Sequence, residues 1–109
     1  QNSRNPHDTL DVPDLQEVLE RTKPLLLDVR GAEKYRGGHL PGAMNIPVEE
    51  ISGRRAELPE NLDAPIVTVC NRGNASISGM LVLKSLGYHN VKSLNGGTVA
   101  WMERGLPTE

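Results

Sequence analysis

Four residues, Ile66-Val67-Thr68-Val69, form the most β-branched run in the chain, and they lead directly into Cys70 and the stretch Asn71-Arg72-Gly73-Asn74-Ala75-Ser76. From Ile77 to Leu86 the pattern becomes a helical stripe, apolar at Ile77, Met80, Leu81 and Leu83 and closed by Gly87. Branching at Cβ suits a pleated strand. A strand, a tight loop and a helix in that order is the repeating unit of a parallel sheet, because parallel neighbours need a crossover connection.

The remaining segments keep the alternation. Asp11 as a cap, Pro13 in the first turn and the rhythm Leu15, Val18, Leu19 predict a helix to about Arg21. Leu25 to Val29 is a continuous apolar run, the pattern of a strand covered on both faces. Ala32 to Arg36 reads as a short helical turn, Gly37 to Gly42 as a turn, and Ala43 to Ile46 as a second short strand. Pro47 to Leu58 reads as a helix interrupted at Ser52-Gly53, and Pro59 to Pro65 as a connection. Val91 to Leu94 supplies a last strand, Gly96-Gly97 a turn, and Thr98 to Arg104 a terminal helix that buries Val99 and Trp101. The expectation is one α/β domain over residues 9–109 with a largely parallel sheet. Residues 1–8, polar and containing Pro6, read as a flexible arm or linker. In such a sheet sites gather beyond the carboxyl ends of the strands, and Cys70 lies at one of them.

Composition narrows the function. A chain of 109 residues with 37% hydrophobic content is a soluble globular domain, and no apolar run approaches the roughly 20 residues a membrane span needs. A net charge of -2 with both signs interspersed, and only Tyr35, Tyr88 and Trp101 as aromatics, argue against a nucleic-acid or membrane partner. One cysteine cannot form an internal disulfide, so the thiol is free for chemistry and a reducing, cytoplasmic compartment is expected. Beginning at Gln1 without a charged and apolar leader, the chain reads as a processed product or an excised domain. Three scattered histidines and one cysteine lack metal-site spacing, so no metal is expected.

Cys70 has two readings. A lone cysteine is often an inert core residue. At a strand-to-helix junction, however, unpaired backbone N-H groups and about half a positive charge favour an anion. A thiolate there, with Arg72 nearby, is expected to titrate below the usual value of roughly 8.5.

Four separated segments resemble the rhodanese family in its small single-domain sulfurtransferase form. They are Leu26-Leu27-Asp28-Val29-Arg30, then Gly38 to Pro47, then the Cys70 to Ser76 loop, then Leu94-Asn95-Gly96-Gly97 with Trp101. The resemblance implies a single rhodanese-like domain, with the parallel sheet flanked by helices on both faces. It also implies a cycle in which Cys70 takes a sulfane sulfur from thiosulfate or a persulfide and passes it to cyanide or a thiol. The intermediate is a persulfide on Cys70 itself, so no separate cofactor is expected. Expected partners are a small-molecule sulfur donor and a thiol acceptor, with a thioredoxin-like or fused enzyme as a further candidate.

Within that reading, backbone N-H groups from Asn71 to Ser76 form a nest for the anion, with Gly73 and Ala75 letting the chain curl close. Arg72 is a candidate for the oxyanion end of thiosulfate. Lys34 is a second candidate, with an exposed helical lysine as the alternative. Ser76 and Asn74 either contact the sulfur or brace the loop. Asp28 and Arg30 read as an architectural pair, and His39 as a turn-bracing residue. His7 and His89 read as surface residues.

Two other functions fit parts of the pattern. A phosphatase or arsenate reductase on the same scaffold needs an arginine six positions after the cysteine, where this chain has Ser76. A persulfide-relay or regulatory module of a larger protein shares the Cys70 chemistry and differs in its donor and acceptor.

Overall fold

The computed structural model describes residues 8–109. In chain order the elements are β1 (Thr9–Leu10), α1 (Val12–Arg21), β2 (Leu25–Asp28), α2 (Ala32–Arg36), β3 (Met44–Asn45), two 3-10 helices (Val48–Glu50 and Ser52–Glu57), β4 (Ile66–Val69), α3 (Ala75–Ser85), β5 (Val91–Leu94) and α4 (Gly97–Glu103). All strand pairings are parallel, in the order β1-β5-β4-β2-β3. The β-branched run is the middle strand, in register with β2 from Leu25 opposite Ile66 to Asp28 opposite Val69.

Alternation along the strands divides the core in two. Ile66 and Cys70 pack with Leu27, Met80 and Leu83 on the side covered by α3, whereas Val67 and Val69 pack with Leu26, Leu15 and Trp101 on the side of α1 and α4. Successive residues point to opposite faces, so Cys70 points toward α3. Buried leucines such as Leu15, Leu27 and Leu83 each contribute about 2–5 kcal/mol relative to alanine in interiors of this kind.

Several local expectations change. Asp11 stands at the N-cap of α1 without capping it; its carboxylate instead accepts a hydrogen bond from Asn95 Nδ2 at 3.0 Å, joining the helix start to the end of β5. The helix after the cysteine begins at Ala75, two residues before the apolar stripe, which puts Ser76 in its first turn. Leu81 is exposed, because α3 buries the line through Ser76, Gly79, Met80 and Leu83. Residues 48–57 form two 3-10 helices rather than a broken α-helix, and the non-helical backbone lies at Arg54 rather than at Ser52-Gly53. Arg54 holds that bend by donating to Glu50 at 3.0 Å and to Glu57 at 2.8 and 2.9 Å.

Asp8, at the end of the expected arm, takes part in the fold: its carbonyl accepts from Ser93 N at 2.8 Å and its carboxylate pairs with Lys84 at 2.7 Å. The rest of the expected arm, with Pro6 and His7, lies outside the described residues. At the other end, Trp101 Nε1 donates to Pro107 O at 2.7 Å, and Glu109 and His39 exchange two backbone hydrogen bonds at 2.8 and 3.2 Å. No helix among the described residues is long and apolar enough to cross a membrane.

Candidate active site

Cys70 follows the last residue of β4, at the carboxyl end of the middle strand. Only 3% of it is exposed, yet it forms part of the floor of an open cavity of about 570 Å³. Asn71, Arg72, Asn74 and Ala75 come from its own loop; Arg30, Gly31 and Lys34 from the β2–α2 connection and α2; Val48 and Glu49 from the first 3-10 helix; and Ser78 from α3. The sulfur is reachable by a small molecule and shielded from bulk water.

The loop after Cys70 doubles back so that Gly73 N-H donates to Cys70 Sγ at 3.0 Å. Gly73 has φ +101°, a conformation that side chains with a Cβ rarely adopt. Burial pushes the Cys70 thiol up, but the Ser76 hydroxyl and the backbone N-H groups of Ser76, Gly73 and Arg72 more than offset it, and the net displacement is downward. Of the N-H groups expected around the sulfur, that of Gly73 makes the hydrogen bond, and the Arg72 contribution to the lowered thiol is through its backbone N-H rather than its cation. The guanidinium is exposed at the cavity wall.

Beneath the loop lies the start of α4. Thr98 N-H and Oγ1 donate to Cys70 O at 2.8 and 3.1 Å, and Val99 N-H donates to Asn71 O at 3.0 Å. Gly97, with φ +59°, brings the helix so close that a Cβ there would stand 2.3 Å from Cys70 O. The Gly96-Gly97 pair, expected as a turn, is thus also a platform that fixes the two peptide groups at the start of the loop.

Among the other predicted site residues, Lys34 lines the same cavity as Cys70. Neither Lys34 nor Arg72 forms an ion pair among the described residues, whereas Lys84, Arg30 and Arg54 do. Asn74 stands at the N-cap of α3 and makes no side-chain capping bond; its carbonyl accepts from Ile77 N at 3.2 Å. Ser76 is fully buried below the sulfur, its carbonyl bonded to Thr68 Oγ1 at 2.7 Å.

Asp28 and Arg30 meet one another. Arg30 Nε and a terminal nitrogen grip the carboxylate at 3.0 and 2.7 Å, and the same terminal nitrogen donates to Gly38 O at 2.8 Å. With Asn45 Nδ2 donating to the carbonyls of Asp28 and Arg30, this ties the end of β2 to the Gly38 turn and to β3. His39 lies away from the cavity: its ring stacks on Tyr35 at 3.7 Å, and Nδ1-H donates to Tyr35 O at 2.8 Å. His89, exposed, sits 2.8 Å from Asp63.

Sequence reasoning missed Glu49, Val48 and Ser78 in the cavity wall, Gly97 and Thr98 under the loop, and Ser93 beside Ser76. The segment after β3 was a readable place to look, since loops at the carboxyl ends of parallel strands converge. Ser93 carried a weaker signal, a hydroxyl on the face that Val91 buries.

A model of the rhodanese-like domain matches residues 11–104. The chain belongs to the rhodanese-like domain family. Among related proteins, it is 30% identical over 108 residues to the human thiosulfate:glutathione sulfurtransferase, covering 88% of this chain and 94% of that one. It is 32% identical over 89 residues to thiosulfate sulfurtransferase GlpE of Pseudomonas savastanoi pv. phaseolicola, covering 82% of each. An HTH-type transcriptional regulator of Mycobacterium tuberculosis is 34% identical over 107 residues, covering 96% of this chain, and this rhodanese-like chain spans only 46% of it. A solved structure of the human single-domain sulfurtransferase superposes with a TM-score of 0.78 at 28% identity, over 88% of this chain and 96% of that one.

Proposed function

We propose that this chain is a sulfurtransferase that carries a sulfane sulfur on Cys70, taking it from thiosulfate or a persulfide and giving it to a thiol. The observation that carries this reading is Cys70 Sγ on the floor of an open cavity, with Gly73 N-H 3.0 Å away and the thiol displaced toward its anion. The human and Pseudomonas relatives, named as sulfurtransferases, support the same class.

In the first half-reaction the thiolate attacks the outer sulfur of thiosulfate, a new S-S bond forms, and sulfite leaves with the electron pair of the broken S-S bond. The negative charge then rests on the outer sulfur of the persulfide. In the second half, an acceptor thiolate attacks that sulfur and Cys70 leaves as thiolate, so no electrons are gained or lost across the cycle. The backbone N-H groups are already oriented before charge moves, so they stabilise it without reorganising. A chain that needs a free thiolate suits a reducing compartment such as the cytoplasm.

Incubation with thiosulfate, removal of excess reagent and intact-mass analysis test the reading. The protein gains the mass of one sulfur atom, and cyanide or a thiol removes it. Absence of any gain with thiosulfate and with a persulfide donor would falsify the proposal.

The pH dependence follows from the downward displacement of the thiol. Raising pH converts thiol to thiolate, so alkylation by iodoacetamide rises with pH, with its midpoint below the unperturbed thiol value. A midpoint at or above that value would remove the donor cage from the mechanism.

Arg72 and Lys34 act on charge at the cavity wall. Arg72→Ala lowers kcat/KM for thiosulfate about three- to tenfold and leaves an uncharged sulfane-sulfur donor within twofold, the size of an exposed charge contact. Equal losses with both donors assign Arg72 to loop structure.

A second reading follows from the mycobacterial regulator, of which this chain spans about half. In that reading Cys70 of this chain serves a relay or regulatory module of a larger protein, with a fused or thioredoxin-like protein as acceptor. Single-turnover transfer from loaded protein to small thiols and to protein thiols separates the two.

A further inference from the structure

Glu49 and Glu50 are adjacent carboxylates that the fold gives different surroundings. Glu50 accepts from the Arg54 guanidinium at 3.0 Å, and Glu57 takes the other donors of that group. Glu49 instead lines the cavity that holds Cys70 and forms no ion pair among the described residues. Its backbone is fixed on both sides. Val48 N-H donates to Val29 O at 3.2 Å, just past the end of β2, and the fully buried Ile51 donates from its N-H to Val48 O at 3.3 Å. The first 3-10 helix therefore sets Glu49 in the cavity wall and leaves its side chain exposed.

The other charged side chains of that cavity are cations. Arg30 is already committed, gripping the Asp28 carboxylate at 2.7 Å. Lys34 and Arg72 are exposed, and neither pairs with Glu49. Opposite charges that could neutralise one another stay apart in one cavity beside the sulfur, so an entering molecule meets both signs. The two cations suit an anion such as thiosulfate. The carboxylate opposes it, because thiosulfate has no positive charge to offer, and suits an ammonium group. The cavity is also larger than thiosulfate requires: about 570 Å³ lies in the range of sites for molecules of many more atoms.

Resting on the reading of Cys70 as the sulfur carrier, we propose that Glu49 is a specificity-determining residue: its carboxylate selects the acceptor thiol by charge, favouring one that carries an ammonium group and opposing one that is wholly anionic. Donor and acceptor use the same cavity in turn, and Glu49 gives the two half-reactions different charge preferences. Thiosulfate is drawn in by Lys34 and Arg72 against the repulsion of Glu49. An ammonium-bearing thiol is drawn in by Glu49, and a carboxylate on the same molecule finds the two cations.

The test compares wild type, Glu49→Gln and Glu49→Asp with probes of one reactive group and three charges. The first set is methanethiosulfonates bearing an aminoethyl, a hydroxyethyl or a sulfonatoethyl group. The Cys70 thiolate attacks the sulfenyl sulfur, a new S-S bond forms, and methanesulfinate leaves with the electron pair. The second set is the acceptors cysteamine, 2-mercaptoethanol and mercaptoacetate, each discharging the Cys70 persulfide. In Glu49→Gln the cationic probe slows about two- to fivefold and the anionic probe speeds up by a similar factor, the size of exposed charge contacts, with the neutral probe between them. Glu49→Asp keeps the sign of the charge and the order of the three rates. Added salt shrinks the wild-type preference toward that of Glu49→Gln. The proposal is overturned by a cationic-to-anionic rate ratio equal in wild type and Glu49→Gln, by equal losses with all three charges, or by a Glu49→Asp variant that behaves like Gln. The methanethiosulfonates label Cys70 without any sulfur donor, so their outcome tells on Glu49, whereas failure of thiosulfate and persulfide loading tells on the sulfurtransferase reading.

Discussion

In Cys70→Ala, sulfur loading by thiosulfate falls to background and turnover drops by more than about a thousandfold, while the protein stays folded. The chemical loss is total because the remaining cavity has no other thiol: Cys70 is the chain's single cysteine. The structural loss is small. Cys70 is buried, and replacing its sulfur by hydrogen removes one heavy atom from the cluster around Leu27, Val29 and Met80, at a cost of about 1 kcal/mol. Gly73 N-H loses its sulfur acceptor, which adds about 1 kcal/mol. Thermal unfolding beside intact-mass analysis checks both halves. Turnover by a folded Cys70→Ala protein above a hundredth of wild type removes Cys70 from the mechanism.

The parts of this molecule legible in the sequence are those set by neighbouring residues. β4 could be bounded at Ile66 and Val69 because four β-branched or apolar residues end abruptly at a run of small and polar ones. Cys70 could be located at a strand-to-helix junction for the same reason. α3 starts two residues before the apolar stripe because Ala75 and Ser76 belong to no such stripe, although Ser76 turns inward and is fully buried. Residues 48–57 were harder: the turns are 3-10, and the bend at Arg54 depends on two carboxylates closing on one guanidinium, which no periodicity displays.

Contacts across the sheet were out of reach of local reasoning. Thr98 meets Cys70 across 28 positions and Ser93 meets Ser76 across 17, and both depend on how β5 and α4 lie against β4. Arg72 shows a further limit. A cation beside a cysteine in the sequence implied an electrostatic effect on sulfur, yet the lowering of the thiol comes from hydrogen-bond donors, the Arg72 peptide N-H among them, while the guanidinium stands at the cavity wall. Sequence proximity identifies which residue is close; it does not say which of its atoms is.

Gly97→Ala tests that long-range arrangement where it is tightest. Its Cβ would stand 2.3 Å from Cys70 O and 2.7 Å from both the carbonyl carbon and oxygen of Asn71, all rigid backbone atoms, and φ +59° adds the left-handed penalty of about 1–2 kcal/mol. To admit the methyl group, α4 must move away from the loop, which stretches the bonds from Thr98 and Val99 that fix the carbonyls of Cys70 and Asn71. The expected result is a loss of about 3–5 kcal/mol in urea unfolding. Folded variant protein shows Cys70 alkylation shifted to higher pH, because a displaced loop no longer aims Gly73 N-H at sulfur. Thr98→Val is the companion, removing only the 3.1 Å hydroxyl bond to Cys70 O at a cost of about 1 kcal/mol and leaving the backbone bonds in place. If Gly97→Ala matches Thr98→Val in stability and in its alkylation profile, the start of α4 is not what holds the loop. The donor cage must then derive its geometry from α3 alone.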